Sequence, residues 1–274
     1  MDGVTGANHL QTFVVPDGQT AAMIPSDAII AFLTGDPRVH FQPGDWVPIL
    51  AGECAAVLVI RGGLARLENP IPIKLAAASP ESLDLAAILA FKRLGAEVSP
   101  IFGLRGTTAV SRAFASGEAD AALLTGEDVP ADIATLSANG GVAVGALGVV
   151  DDRDQVLIDP LLGGLPTIHA VAKSRGIPPL PHSLEQAFRA VSAASRIDFI
   201  MVLPHLTAPA KVAVWRQAAM SAIQSPALNA AAAASSVGLT VSAAAAAAAP
   251  FNVQAGELLA LRQFLFQRFG WRPS

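Results

Sequence analysis

The stretch IKLAAASPESLDLAAIL, Ile73 to Leu89, joins two apolar runs through a hydroxyl-rich centre with no glycine spacer. The first run, Ile73 to Ala77, reads as a covered strand, and the spacing predicts a helix from Glu81 to Leu94. Pro80 has no N–H to satisfy and suits a first helical position, which makes Ser79 the N-cap. The backbone N–H groups of Glu81 and Ser82 then point out of the helix start, where free donors and the helix dipole attract anions. The plainer alternative is a serine that only caps its own helix.

The same pattern recurs downstream. Val98 to Phe102 reads as a strand, and the loop after it runs through Gly103-Leu-Arg-Gly106 into a hydroxyl-rich start at Thr107 and Thr108, with a helix to Ser116. Ser116-Gly117-Glu118 then leads to Asp120 and another apolar strand, Ala121 to Thr125. Two strand-to-helix ends would thus face one edge of a parallel sheet, and in open α/β sheets that carboxyl edge is where ligands bind.

Further strands are expected at Thr12 to Val15, Thr20 to Ile24, Val57 to Ile60, Val142 to Val149 and Phe199 to Leu203. Runs that are apolar throughout fit strands covered on both faces. Helices are expected at Ser183 to Ser195, Pro209 to Ile223 and Gly256 to Phe269. The alanine-dominated tail, Pro226 to Pro250, reads as partly frayed helix with little area to bury. Alternation of short strands with helices indicates an α/β fold. Proline clusters at Pro70-Ile-Pro72 and Pro178-Pro179-Leu-Pro181 bracket a middle lobe, residues 73–197, inserted into an outer lobe made of residues 1–72 and 198–274.

Composition narrows the function. The chain has 274 residues, of which 52% are hydrophobic and 15% charged, with 18 basic against 22 acidic side chains and a net charge of −4. A basic footprint for nucleic acid is missing, so no nucleic-acid partner is expected. Mean hydropathy is high, at +0.49, yet no apolar run reaches the roughly 20 residues that span a bilayer. The start, MDGVTGANHLQ, lacks the features of a secretory signal. Single Cys54 excludes an internal disulfide.

Five histidines stand in unrelated contexts, without HExxH spacing, so no metal is expected. There is no GxSxG elbow, and the glycine loops follow neither GxGxxG nor GxxxxGK[ST]. No cofactor and no enzymatic activity are expected. Asp151-Asp152 and Glu127-Asp128 read as solvated turns.

Five pieces, in one order, resemble a known family. Pro16-Asp-Gly-Gln-Thr20 is similar to its PDGxT, and Phe41 to Ile49 (FQPGDWVPI) to its DFxPI stretch. The Gly103–Thr107 loop with Ser116-Gly-Glu-Ala-Asp120 is similar to its GYxGT…GExD. Leu165-Pro-Thr167 resembles its PTxxE, and Leu203-Pro-His-Leu-Thr-Ala-Pro209 its PxxTP. The family is that of the substrate-binding proteins of tripartite tricarboxylate transporters, the Bug proteins.

The resemblance implies a two-lobe type II periplasmic-binding-protein-like fold, each lobe a mostly parallel sheet flanked by helices. It implies a small organic acid in the interlobe cleft, closure about a hinge, membrane transporter subunits as partners, and a periplasmic location. A cytoplasmic location stays open. On this resemblance the first lobe is N-terminally shortened by roughly 50 residues, a strand and a Pro-Gly-Gly loop. A sheet edge left uncovered in this way invites a homodimer. Two readings therefore stand: a solute-binding receptor, or a shortened non-transport relative acting through dimerisation or a partner. Expected ligand-binding residues are Ser79, Glu81, Ser82, Thr107 and Asp120 from the middle lobe and Ser26 and Asp27 from the outer one. Glu81 places a negative charge where the family would hold an anion, and so also points to a ligand with an amine.

Overall fold

The structure, a computed structural model, describes residues 2–151, 155–241 and 249–272. The chain opens with helix α1, Val4–Phe13, which lays Val4, Ala7 and Leu10 on the core. The strand expected at Thr12 to Val15 is absent: the β-prone residues Thr12 and Phe13 finish this helix instead. Local β propensity yields there to burial of the i, i+3, i+6 face.

Strand β1, Ala22–Pro25, leads directly into α2, Ser26–Thr34. β2, Val47–Glu53, crosses through Cys54 into β3, Ala55–Arg61. β4 (Ile73–Ala76), α3 (Leu85–Arg93), β5 (Val98–Ile101), α4 (Gly106–Ala115), β6 (Ala121–Gly126), α5 (Val129–Ser137) and β7 (Gly141–Ala146) follow. After them come the short pair β8 (Val149–Val150) and β9 (Val156–Leu157), then α6 (Ile168–Ser174) and α7 (His182–Arg196). The return strand β10, Ile197–Leu203, precedes α8 (Pro209–Ala222), α9 (Pro226–Ala234), β11 (Gly238–Val241) and a C-terminal helix, Ala255–Phe269.

Besides the β8–β9 pair, two larger sheets result, the cores of two lobes. One has the order β1-β10-β2-β11 and the other β5-β4-β6-β3-β7. The chain passes between them at Cys54 and again from Arg196 into Ile197, so β3 belongs to the middle sheet. The first crossing thus lies earlier than the Pro70–Pro72 cluster picked out in the sequence. Strand directions are mixed. β4 pairs in parallel with β5 and β6, whereas β3 runs antiparallel to β6 and β7, and every pair in the outer sheet is antiparallel. β3 is apolar throughout because it is an interior strand covered on both faces, which an antiparallel strand satisfies as well as a parallel one.

The long helix α7 binds the lobes together. It packs on α2, α3 and the C-terminal helix, and Phe188 and Val191 are fully buried in the largest apolar cluster beside Phe91 and Leu261. Helix ends match the sequence signals at Pro209, which starts α8, and at Gly95, which takes a positive φ just beyond α3. In the tail, Pro226–Ala234 is helix, but Gly238–Val241 is a strand on β2, and most of the Ala243–Ala249 run lies outside the described residues. No helix among the described residues is long and apolar enough to cross a membrane.

Candidate functional site

A cleft of about 330 Å³ lies between the lobes, at the carboxyl ends of β4 and β6. Asp27, in the first turn of α2, supplies the outer wall. Ser82 and Asp84 come from the turn after β4, Arg105 and Thr107 from the start of α4, Thr125 from β6 and Asp132 from α5.

The turn after β4 differs from the sequence expectation. Its helix begins at Leu85, so Ser79 is not its N-cap and Pro80 is not its first residue. Residues 80–84 form turns instead, because a hydrogen-bond network closes there. Ala78 N–H donates to Asp84 Oδ2 at 2.8 Å, and Ser82 Oγ sits 2.9 Å from the same oxygen and 2.8 Å from Ser79 O. The anion position of this turn is thus filled by the chain's own carboxylate. Ser79 and Glu81 lie in the turn, and neither lines the cleft.

A second carboxylate plays the same part at α4. Thr107 Oγ1 donates to Asp132 Oδ2 across 3.4 Å, and Asp132 is only 9% exposed. The start of α4 carries no side-chain cap, so its first N–H groups have no intrahelical partner and face outward. Arg105, exposed just ahead of them, makes no hydrogen bond or ion pair among the described residues.

All three cleft carboxyls are pushed above the ordinary aspartate range. For Asp84 the cause is burial, which outweighs the donors from Ala78 and Ser82. For Asp132 it is burial, reinforced by Asp128 and opposed by Thr107. Asp27 is exposed along the cleft mouth yet loses enough water there to be raised, with Asp2 adding to the effect and Arg105 opposing it.

Ser26 and Asp120 are placed elsewhere. Ser26 is buried as the first residue of α2 and does not line the cleft. Asp120 precedes β6 at the opposite edge of the sheet. There its N–H donates to Lys74 O at 2.7 Å and its carboxylate lies 3.8 Å from Arg66 and 4.0 Å from Arg61. Of the seven expected residues, Asp27, Ser82 and Thr107 come together in the cleft.

The sequence reading missed Asp84, Arg105 and Asp132. Arg105 had a legible signal, a lone cation in the loop Gly103-Leu-Arg-Gly106 ahead of a hydroxyl-rich helix start. Asp84 follows Ser82 by two residues in a turn, a spacing at which a side chain bonds local backbone. Asp132 had none, because only the fold brings α5 to α4. Among the described residues no group of His, Cys, Asp and Glu side chains has metal-site geometry.

Solved structures with a similar chain path include a solute-binding protein and proteins holding organic acids. A TctC solute-binding protein from Polaromonas superposes with a TM-score of 0.63 at 16% identity, over 93% of this chain and 80% of that one. The fold is that of the TctC-type solute-binding proteins. Malate-bound MatC from Rhodopseudomonas palustris shares this fold at TM-score 0.53 and 17% identity, over 96% of this chain and 84% of its own. A further R. palustris protein, solved with adipate, gives 0.52 and 15% over 97% and 81%. No family model and no curated protein matches the chain in sequence.

Proposed function

We propose that this chain is a solute-binding receptor that holds a small organic acid in the interlobe cleft and presents it to a membrane transporter of the tripartite tricarboxylate type, in the periplasm. The observation that carries the reading is the uncapped start of α4 with Arg105 beside it, at the carboxyl edge of the sheet, in a fold shared with malate- and adipate-bound proteins. A carboxylate there gains N–H donors, a helix dipole and a guanidinium at once. Asp27, Ser82 and Thr107 complete the site from both walls, so binding favours closure of one lobe on the other. Ser26, Ser79, Glu81 and Asp120 support this site from outside the cleft or not at all.

Isothermal titration against mono- and dicarboxylates, amino acids and aromatic acids tests the reading. Saturable heat, lost in Arg105→Ala, is the expected result; no heat from any class would overturn it. A second reading, a relative acting through self-association, is favoured by the outer edge of β1. Among the described residues that edge has no strand partner, and Phe13, Val15 and Met23 are exposed around it. Light scattering that gives a dimer, with no solute bound, would favour it.

A further inference from the structure

A second gap between the lobes lies on the other side of the hinge. The two strands that cross to the middle lobe, β2 and β10, are the inner strands of the outer sheet, with β1 and β11 at its edges. The solute cleft borders the β1 side through Asp27, whereas a gap of about 470 Å³ borders the β11 side. One wall is Ala232 and Ala233 of α9 with Leu239 of β11, the facing wall is Leu161 and Leu162 of the middle lobe, and buried Ala55 lies at the base. No charged side chain is among the described lining residues, and of the polar ones Asn229 already donates Nδ2 to Ile223 O at 2.9 Å. α9 has no buried residue, so the apolar side it turns to the gap is uncovered. Both walls are anchored on Arg196. Asp159, held by it at 2.9 Å, accepts Leu161 N–H at 3.0 Å, and Glu53, 3.7 Å from it, pairs with Gly238 at the start of β11. Val237 N–H donates to Ala232 O at 2.9 Å and closes the turn from α9 to β11. The hinge itself therefore sets the shape of the gap.

We propose that this gap is a ligand site on the back of the hinge, separate from the solute cleft, and that it takes a small uncharged molecule of two or three apolar rings. Apolar walls with one or two polar groups, at a boundary between lobes, are the make-up of a small-molecule site. The 470 Å³ volume is about three times that of the ~150 Å³ apolar cavity that accepts benzene, which sets the size of the occupant. An ion would find no counter-charge there, because Arg196, Asp159 and Glu53 behind the walls are engaged with one another. Water against such walls has few partners, so apolar rings displace it with a gain in free energy. An occupant that touches both α9 and Leu161–Leu162 bridges the lobes and resists their rotation about the crossings at Cys54 and Ile197. The site stands on its own walls and does not depend on the reading of the solute cleft.

Titration of the full chain with N-phenyl-1-naphthylamine, an uncharged probe that fluoresces in apolar surroundings, tests the site. The expected result is a saturable rise in fluorescence at one probe per chain. Leu161→Asp, which sets a charge in the gap, and Ala233→Trp, which fills it, should each weaken the probe by about tenfold. Both positions are exposed, so the fold should stand, with circular dichroism as the check. Leu259→Asp alters an exposed leucine that does not line the gap, and should bind the probe as wild type does. Exchange of the Cys54 amide hydrogen, which is donated to Arg196 O, should slow by about threefold with the probe bound. No saturable binding to folded protein, or binding weakened equally by Leu161→Asp and Leu259→Asp, would overturn the site. Saturable binding with unchanged exchange at Cys54 would overturn the bridging of the lobes. Organic-acid heat abolished along with the probe in Leu161→Asp would merge the gap with the solute cleft and overturn its separateness. A dimer seen by light scattering, lost in Leu161→Asp and binding no probe, would give the gap to a second copy of the chain instead.

Discussion

Arg196 points its guanidinium at Asp159, with Nη2 2.9 Å and Nε 3.0 Å from Oδ2, and Asp159 is fully buried. Arg196 is the last residue before the chain returns to the outer sheet. Its carbonyl accepts from Cys54 N–H, in the outgoing crossing, at 2.8 Å. One residue therefore ties both crossings and a loop together, with Glu53 Oε2 3.7 Å from its Nη1. Removing one partner from a buried pair leaves an uncompensated charge, which costs about 3–5 kcal/mol. Asp159→Asn and Arg196→Met should each lower the unfolding free energy obtained from urea titration by that order. A double mutant less destabilised than the sum of the two would confirm the coupling.

The buried carboxyls pull stability in opposite directions with pH. Asp84 and Asp132 have raised folded pKa values from an ordinary 3.8, so their contribution is present below that pH and is lost as pH rises through the folded values. Glu185 behaves the other way. Burial pushes its carboxyl up, but the 2.9 Å contact from His169 Nε2, the Leu180 N–H and Arg93 together hold it below 4.5. Its contribution is present above 4.5 and is lost as pH falls through the folded value. Thermal melts from pH 3 to 8 should therefore show Asp132→Asn raising Tm at neutral pH and not in acid. Glu185→Gln should lower Tm at neutral pH and not in strong acid. Either variant acting equally at both ends would contradict these directions.

Much of the fold was legible in the sequence because burial writes itself into contiguous apolar runs. β3, β4 and β10 were expected within a few residues, and Pro209 and Gly95 marked real helix ends. α1 was not, since Thr12-Phe13-Val14-Val15 favours a strand locally and only the packing of Val4, Ala7 and Leu10 decides otherwise. Pro48 and Gly52 hid β2, although Phe199 on the neighbouring strand lays its ring over Gly52 and makes good the missing side chain. At the site, the hydroxyl-rich strand-to-helix turns were expected to face a ligand anion, and in the structure their donors bond the chain's own Asp84 and Asp132. Asp132 was not legible there, because it reaches Thr107 through tertiary geometry alone, whereas Asp84 bonds within its own turn at a spacing the sequence displays.

Arg61 closes the far end of β3. Its Nη1 donates to Asn139 O at 2.5 Å, its Nη2 donates to Phe114 O, and the guanidinium lies 4.4 Å from the centre of the Phe114 ring. These contacts hold the ends of α4 and α5 against the strand. A lysine carries the charge but has neither the planar fork nor the stacking face. Arg61→Lys should cost about 1–3 kcal/mol, for two carbonyls left with poorer partners. Native-state hydrogen exchange should show the loss concentrated in the last turns of α4 and α5 rather than spread over the outer sheet. Uniform loss would point instead to a general effect on the core.

Thr107 tests how the cleft sets the charge of Asp132. The hydroxyl of Thr107 lowers the Asp132 pKa, while burial and Asp128 raise it. Thr107→Val keeps the volume and removes the donor, so the Asp132 pKa should rise further and its carboxyl should stay neutral to higher pH. Thr107 is exposed, so the fold should lose less than about 1 kcal/mol. A neutral Asp132 repels a carboxylate at the start of α4 less, so organic-acid affinity should rise most just above the wild-type Asp132 pKa and return to the wild-type level as pH rises past the shifted one. Carbon-13 NMR of the Asp132 carboxyl reads the pKa directly, and titration calorimetry across the same pH range reads the affinity. An upward pKa shift with no pH-dependent change in affinity would separate the charge of Asp132 from solute binding.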